Sequence, residues 1–143
     1  MAIRKIGILT SGGDCGGLNA VVRAVTYRAI DKYSWQVFGI RDGTMGLMKR
    51  PIEYKHLKLS NFTGTLIRQG GTFLGTTNTG NPFRFPMGNG LFKDRSQEII
   101  EGYKKLGLDA FIGIGGDGSM KILKKLSLKG NLNFVGIPKP IDN

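Results

Sequence analysis

The sequence predicts an α/β domain, an open and mainly parallel sheet with helices on both faces. Two observations predict it. Short apolar runs bounded by glycine-rich turns alternate with stretches whose apolar residues recur at helical spacing. The turns between them are short, and strand–helix–strand units of that kind close as parallel pairs with right-handed crossovers. Ile6–Leu9 ends in Thr10-Ser11-Gly12-Gly13 and reads as a buried strand. Leu18, Val21, Val22, Val25 and Ala29 then mark a helix over Leu18–Tyr33, and Trp35–Ile40 a second strand. Residues 42–92 are rich in Gly, Pro, Thr and Asn and predict short strands, loops and a short helix near Ser60–Leu66. Ile99, Ile100, Tyr103 and Leu106 mark a helix that opens near Asp94 or Ser96 and closes at Gly107. Phe111–Ile114 is the next strand. Met120, Leu123 and Leu126 mark a helix stopped by Gly130, and Phe134–Ile137 is the last strand.

Composition narrows the class. With 40% hydrophobic and 22% charged residues in 143, the chain has enough apolar material for one core and too little charge for disorder. No apolar run nears the ~20 residues of a membrane span, and Met1–Lys5 is followed by no leader-like apolar region. Cys15 is the only cysteine, so a reducing, cytoplasmic setting is expected. The net charge of +11 raises a nucleic-acid binder as one reading. The basic residues are scattered, however, and no aromatic platform is interleaved with them, so phosphate ligands are the preferred account and no nucleic-acid partner is expected. His56 is read as a solvated side chain, Cys15 as a loop residue, and Trp35 and Phe38 as core.

Three motifs lie at strand ends, where ligands of parallel sheets bind. Ser11-Gly12-Gly13-Asp14-Cys15-Gly16-Gly17 joins the first strand to the first helix. Its glycines let backbone approach a ligand, and the helix start offers free N–H groups to an anion. It lacks the Gly-Lys-Ser/Thr of a P-loop. Gly113-Ile114-Gly115-Gly116-Asp117-Gly118-Ser119 repeats the arrangement with a carboxylate inside the turn. Asp117 would repel phosphate unless a cation lies between them, and Mg²⁺ takes one or two carboxylates plus phosphate oxygens. Ser119 is placed to cap the helix and touch phosphate; the bland alternative is a capping Asp/Ser pair. Pro138-Lys139-Pro140-Ile141-Asp142-Asn143 puts a carboxylate past the last strand, a candidate proton acceptor.

In order and spacing these motifs resemble the phosphofructokinases along essentially the whole chain. Gly12-Gly13-Asp14, Gly70–Thr77, Gly115–Ser119 and Pro138–Asn143 match that family's segments, and Asn78–Phe83 is most similar to its cyanobacterial branch. The resemblance implies a Rossmann-like nucleotide-binding domain over residues 1–143, incomplete, with the sugar-phosphate domain absent. It implies transfer from ATP to fructose 6-phosphate with Mg²⁺, in an enzyme whose full-length relatives form homo-oligomers. Gly13 would pack its backbone on ATP. Gly116, Asp117, Gly118 and Ser119 would hold the triphosphate, with Asp117 on Mg²⁺. Asn78 and Thr79 would sit by the transferring phosphate. Pro140, Ile141 and Asp142 would meet the sugar phosphate, with Asp142 as the base.

Some positions depart from the family. Pro140 stands where the family has Thr, which removes a hydroxyl and an N–H donor. Asn78-Thr79 brings no positive charge where many relatives carry one. Gly118 favours ATP as donor, because diphosphate users often carry Asp there; Lys139 is common among diphosphate users. A diphosphate-dependent enzyme and a non-catalytic truncated remnant remain as alternatives, and the 143 residues alone are expected to be inactive.

Overall fold

The computed structural model describes residues 4–12, 17–62, 73–76 and 81–139. The elements are β1 (Lys5–Ser11), α1 (Leu18–Tyr33), β2 (Gln36–Ile40), α2 (Met45–Met48), β3 (Tyr54–Leu57), a 3₁₀ turn (Leu59–Asn61), β4 (Phe85–Gly88), β5 (Leu91–Lys93), α3 (Ser96–Leu106), β6 (Ala110–Gly115), α4 (Asp117–Gly130) and β7 (Phe134–Pro138). The main sheet runs β3-β2-β1-β6-β7. β1 pairs in parallel with β2 and β6, and β6 with β7, while β3 is antiparallel at one edge. β4 and β5 form a separate hairpin.

Alternation along the strands sorts the core into two layers. Ile6 and Ile8 of β1 and Ala110 and Ile114 of β6 meet Leu18, Val22 and Ala29 of α1. Leu9 and Phe111 point the other way, toward Ile99 and Tyr103 of α3 and Leu123 and Leu126 of α4. The expected helices on both faces are therefore present. Phe38 is buried on the second layer, Trp35 packs partly buried on the first, and exposed His56 stacks on Phe38 with ring centroids 4.7 Å apart.

Local chemistry sets several boundaries. Asp94 Oδ1 accepts from Ser96 Oγ at 2.6 Å and Ser96 N at 2.9 Å, which starts α3 and holds the Asp94 carboxyl below its usual range. Gly107, in the left-handed region, ends α3. The expected stop of α4 is corrected by one residue: Gly130 is helical, and Asn131 takes the left-handed cap with φ 53°. Asn tolerates that conformation, whereas Gly130 is needed for packing, because a Cβ there would come 2.9 Å from Ile100. The short helix expected near Ser60–Leu66 appears as the 3₁₀ turn Leu59–Asn61, with 63–66 outside the described residues.

Gly102 shows how tightly α3 packs. A Cβ at this position would lie 2.0 Å from Leu47 O and 2.9 Å from Leu47 C, both backbone atoms of α2. Alanine would gain up to ~1 kcal/mol of helix propensity. Overpacking against backbone costs about 1–3 kcal/mol or more, since no rotamer can swing away. We therefore expect Gly102→Ala to lower the melting temperature by roughly 3–8 °C in calorimetry. A variant that melts at or above the parent would mean that α2 yields freely.

Candidate functional site

β1 and β6 are neighbours in register, with Ser11 opposite Gly115, so their glycine-rich turns leave the sheet side by side. A Cβ on Gly115 would come 2.6 Å from Ser11 O and 3.0 Å from Ser119 Cβ. One on Gly12, where φ is +91°, would come 3.1 Å from Ser119 Oγ. The ends of β1 and β6 thus approach through backbone, the side chain of Ser119 in the first turn of α4 packs on both, and glycine is what permits it.

Gly116 and Gly118 differ from these. Nothing lies within 4 Å of a Cβ built on either, and neither has a left-handed φ. Internal packing does not ask for glycine there, and in a helical turn glycine costs up to ~1 kcal/mol relative to alanine. What the two glycines leave is open space on the solvent side of α4's first turn. Met120 N is bonded to Gly116 O at 2.9 Å, so the N–H groups of Asp117, Gly118 and Ser119 lie outside the helix's own ladder. These donors and the positive end of α4 make a surface whose charge suits an anion.

Asp117 stands exposed at this surface and makes no ion pair among the described residues. The expectation that Ser119 caps α4 is corrected. Gly116 is the N-cap, and Ser119 lies within the first turn with no side-chain hydrogen bond among the described residues. Its hydroxyl is left to face Gly12 and the open side, which also removes the Asp/Ser capping pair as an account of the motif. No cluster of three metal-ligating side chains occurs among the described residues. Asp117 alone beside unpaired N–H donors suits a Mg²⁺ that arrives with phosphate oxygens and keeps most of its waters.

The segment 73–76 is sewn to this mouth by hydrogen bonds the sequence did not announce. Phe73 N donates to Asn19 Oδ1 at 2.7 Å and Arg41 Nη1 donates to Phe73 O at 3.1 Å. Asp42 N donates to Leu74 O at 3.0 Å, Thr10 Oγ1 donates to Gly75 O at 3.0 Å, and Thr76 Oγ1 donates to Gly12 O. The chain after β7 returns to the same place, because Lys139 N donates to Gly115 O at 2.9 Å. Of the expected site residues, Gly116, Asp117, Gly118 and Ser119 are brought together here. Gly13, Asn78, Thr79, Pro140, Ile141 and Asp142 lie outside the described residues, as does Cys15.

Known proteins share this chain's sequence and fold. The family description Phosphofructokinase matches residues 5–143. The chain is 57% identical over 141 residues to ATP-dependent 6-phosphofructokinase 1 of Synechocystis sp., covering 99% of this chain and 39% of that protein. It is 60% identical over 140 residues to the protein of the same name from Nostoc sp., covering 98% and 38%. The fold matches the crystal structure of Pichia pastoris phosphofructokinase in the T-state with a TM-score of 0.82 and 30% identity, covering 100% of this chain and 16% of that one. The chain thus spans about two fifths of the length of these bacterial relatives. With a family match over nearly its whole length, this chain belongs to the phosphofructokinase family.

Proposed function

We propose that the chain is the nucleotide-binding part of a cytoplasmic, ATP-dependent 6-phosphofructokinase. The observation that carries the reading is the space above Gly116 and Gly118, bounded by unbonded N–H groups and the Asp117 carboxylate. Backbone N–H groups of α4's first turn and Ser119 Oγ hold phosphate oxygens, and Gly118 leaves room for a nucleotide where a larger side chain would crowd it. Asp117, with phosphate oxygens, would hold Mg²⁺, which would supply positive charge against that developing on the transferring phosphoryl group. Asp142 takes the proton of the 1-hydroxyl of fructose 6-phosphate as that oxygen bonds to the γ-phosphorus. The bond from the γ-phosphorus to its bridging oxygen breaks, and ADP leaves. Gly13, Asn78 and Thr79 line the nucleotide, and Pro140 and Ile141 the sugar phosphate. Further contacts to the sugar come from the part of the relatives' length that these residues do not span. The same resemblance extends to homo-oligomer formation by the full-length protein.

The reading is tested at Gly118. Gly118→Ala is expected to stabilise the fold by about 0.5–1 kcal/mol, since the helix gains propensity and nothing is struck. It is expected to weaken Mg·ATP binding several-fold in titration calorimetry, because the methyl group occupies the ligand's space. Unchanged affinity would place the nucleotide elsewhere.

A further inference from the structure

We propose that Thr10 and Thr76 form a reciprocal hydroxyl clamp that fixes Gly12, at the end of β1, against the first turn of α4, which makes Thr76 a positioning residue of the nucleotide site. The inference rests on the nucleotide reading above and adds to it residues that touch no ligand. Thr10 Oγ1 donates to Gly75 O at 3.0 Å, and Thr76 Oγ1 donates to Gly12 O. The end of β1 and the segment 75–76 therefore exchange one side-chain bond in each direction, across more than sixty residues of sequence.

Each partner is placed for the task. Thr10 is 1% exposed, so its hydroxyl has no water to turn to and its direction is set by packing. Gly12 has a left-handed φ of +91°, and a Cβ built on it would come 3.1 Å from Ser119 Oγ. A glycine hinge at the lip of a loop is free to rotate unless its carbonyl is held. Thr76 holds that carbonyl, which fixes Gly12 at the end of β1 beside Ser119 in the first turn of α4. Phe73 N on Asn19 Oδ1 and Asp42 N on Leu74 O anchor the segment from the other side, which lets Thr76 act from a fixed base. The end of β1 and the first turn of α4 are thereby held together, with the hydroxyl of Thr76 as the part that ties Gly12 from outside the sheet.

The isosteric change Thr76→Val removes the donor and keeps the shape, so Gly12 O loses its partner while packing is preserved. We expect Mg·ATP affinity, read by titration calorimetry on this chain, to fall on the order of tenfold. Thr76→Ser, which keeps the hydroxyl, is expected to stay within about threefold of the parent. The melting temperature of both variants is expected to stay near the parent's, and amide exchange to speed up around Gly12 in Thr76→Val alone. Thr10→Val combined with Thr76→Val is expected to cost less than the product of the single effects, because either change opens the clamp. A lowered melting temperature with unchanged affinity would overturn the positioning role and leave the nucleotide reading standing. Equal losses in Thr76→Ser and Thr76→Val would also overturn it, since the hydroxyl would then not be the agent. A parent chain that binds no Mg·ATP would overturn the clamp and the nucleotide reading together.

Discussion

Asp117→Ala is expected to weaken Mg·ATP binding by about 30–100-fold, the equivalent of 2–3 kcal/mol for a carboxylate facing a divalent ion at a partly solvated site. The sign should reverse without the metal. Asp117 is exposed at the first turn of α4, where ATP free of Mg²⁺ would meet it as like charge. The alanine variant is therefore expected to bind metal-free ATP as well as or better than the parent. Titration calorimetry with Mg²⁺ and with a chelator reads both halves. A purely structural Asp117 makes a different prediction. As an acidic residue in the first turn it contributes roughly 0.3–1 kcal/mol through the helix dipole, so its loss would lower stability slightly and leave the metal dependence intact. Equal affinity with and without Mg²⁺ in the parent would remove the metal from this carboxylate altogether.

Asp142→Ala is expected to lower turnover by about 10²–10⁴-fold in a polypeptide extended to the length of the bacterial relatives, the usual weight of a general base. Lys139 N is bonded to Gly115 O beside the start of α4, so the chain is held at the site mouth three residues before Asp142. The 143 residues alone are expected to give no turnover in a coupled assay with ATP, Mg²⁺ and fructose 6-phosphate. Positioning of two substrates is worth roughly 7–11 kcal/mol, and much of the sugar's share falls outside these residues. Pro140 adds to the loss, since it offers neither hydroxyl nor N–H. Activity of the short chain that vanishes in Asp142→Ala would overturn the need for further length and keep the base. An extended Asp142→Ala enzyme with full turnover would remove Asp142 from the chemistry.

Much of this architecture was legible because it is local. α1 runs Leu18–Tyr33 as its apolar spacing indicates, and Gly107 ends α3 because its left-handed φ suits glycine. The position of Gly116–Ser119 at a strand's end followed from the same kind of signal, a glycine run between two periodicities. Three things were not legible. Gly130 looked like a helix stop when its lack of a side chain is used against Ile100, a contact thirty residues away that no local pattern encodes. The β4–β5 hairpin was lost in a region read only as short strands and loops, although Asn89-Gly90, both with positive φ, is the turn signal that marks it. The stitches made by Thr10, Asn19, Arg41 and Thr76 join segments 32 to 65 residues apart. A threonine hydroxyl that faces a distant carbonyl carries no periodicity, so only the folded chain reveals it.

The place of β1 in the middle of the sheet has a consequence for how the chain is made. Its pairing with β2 is complete once Ile40 has left the ribosome, but its other edge waits for Ala110–Gly115. At ordinary rates of synthesis that interval lasts roughly 4–15 s, far longer than a hairpin or helix needs to form. Throughout it, Ile6 and Ile8 have α1 to cover them, while Leu9 and Phe38 await α3 and α4. The nascent chain therefore presents a half-layered sheet with one open, apolar edge, and that interval is when it most needs protection by a chaperone.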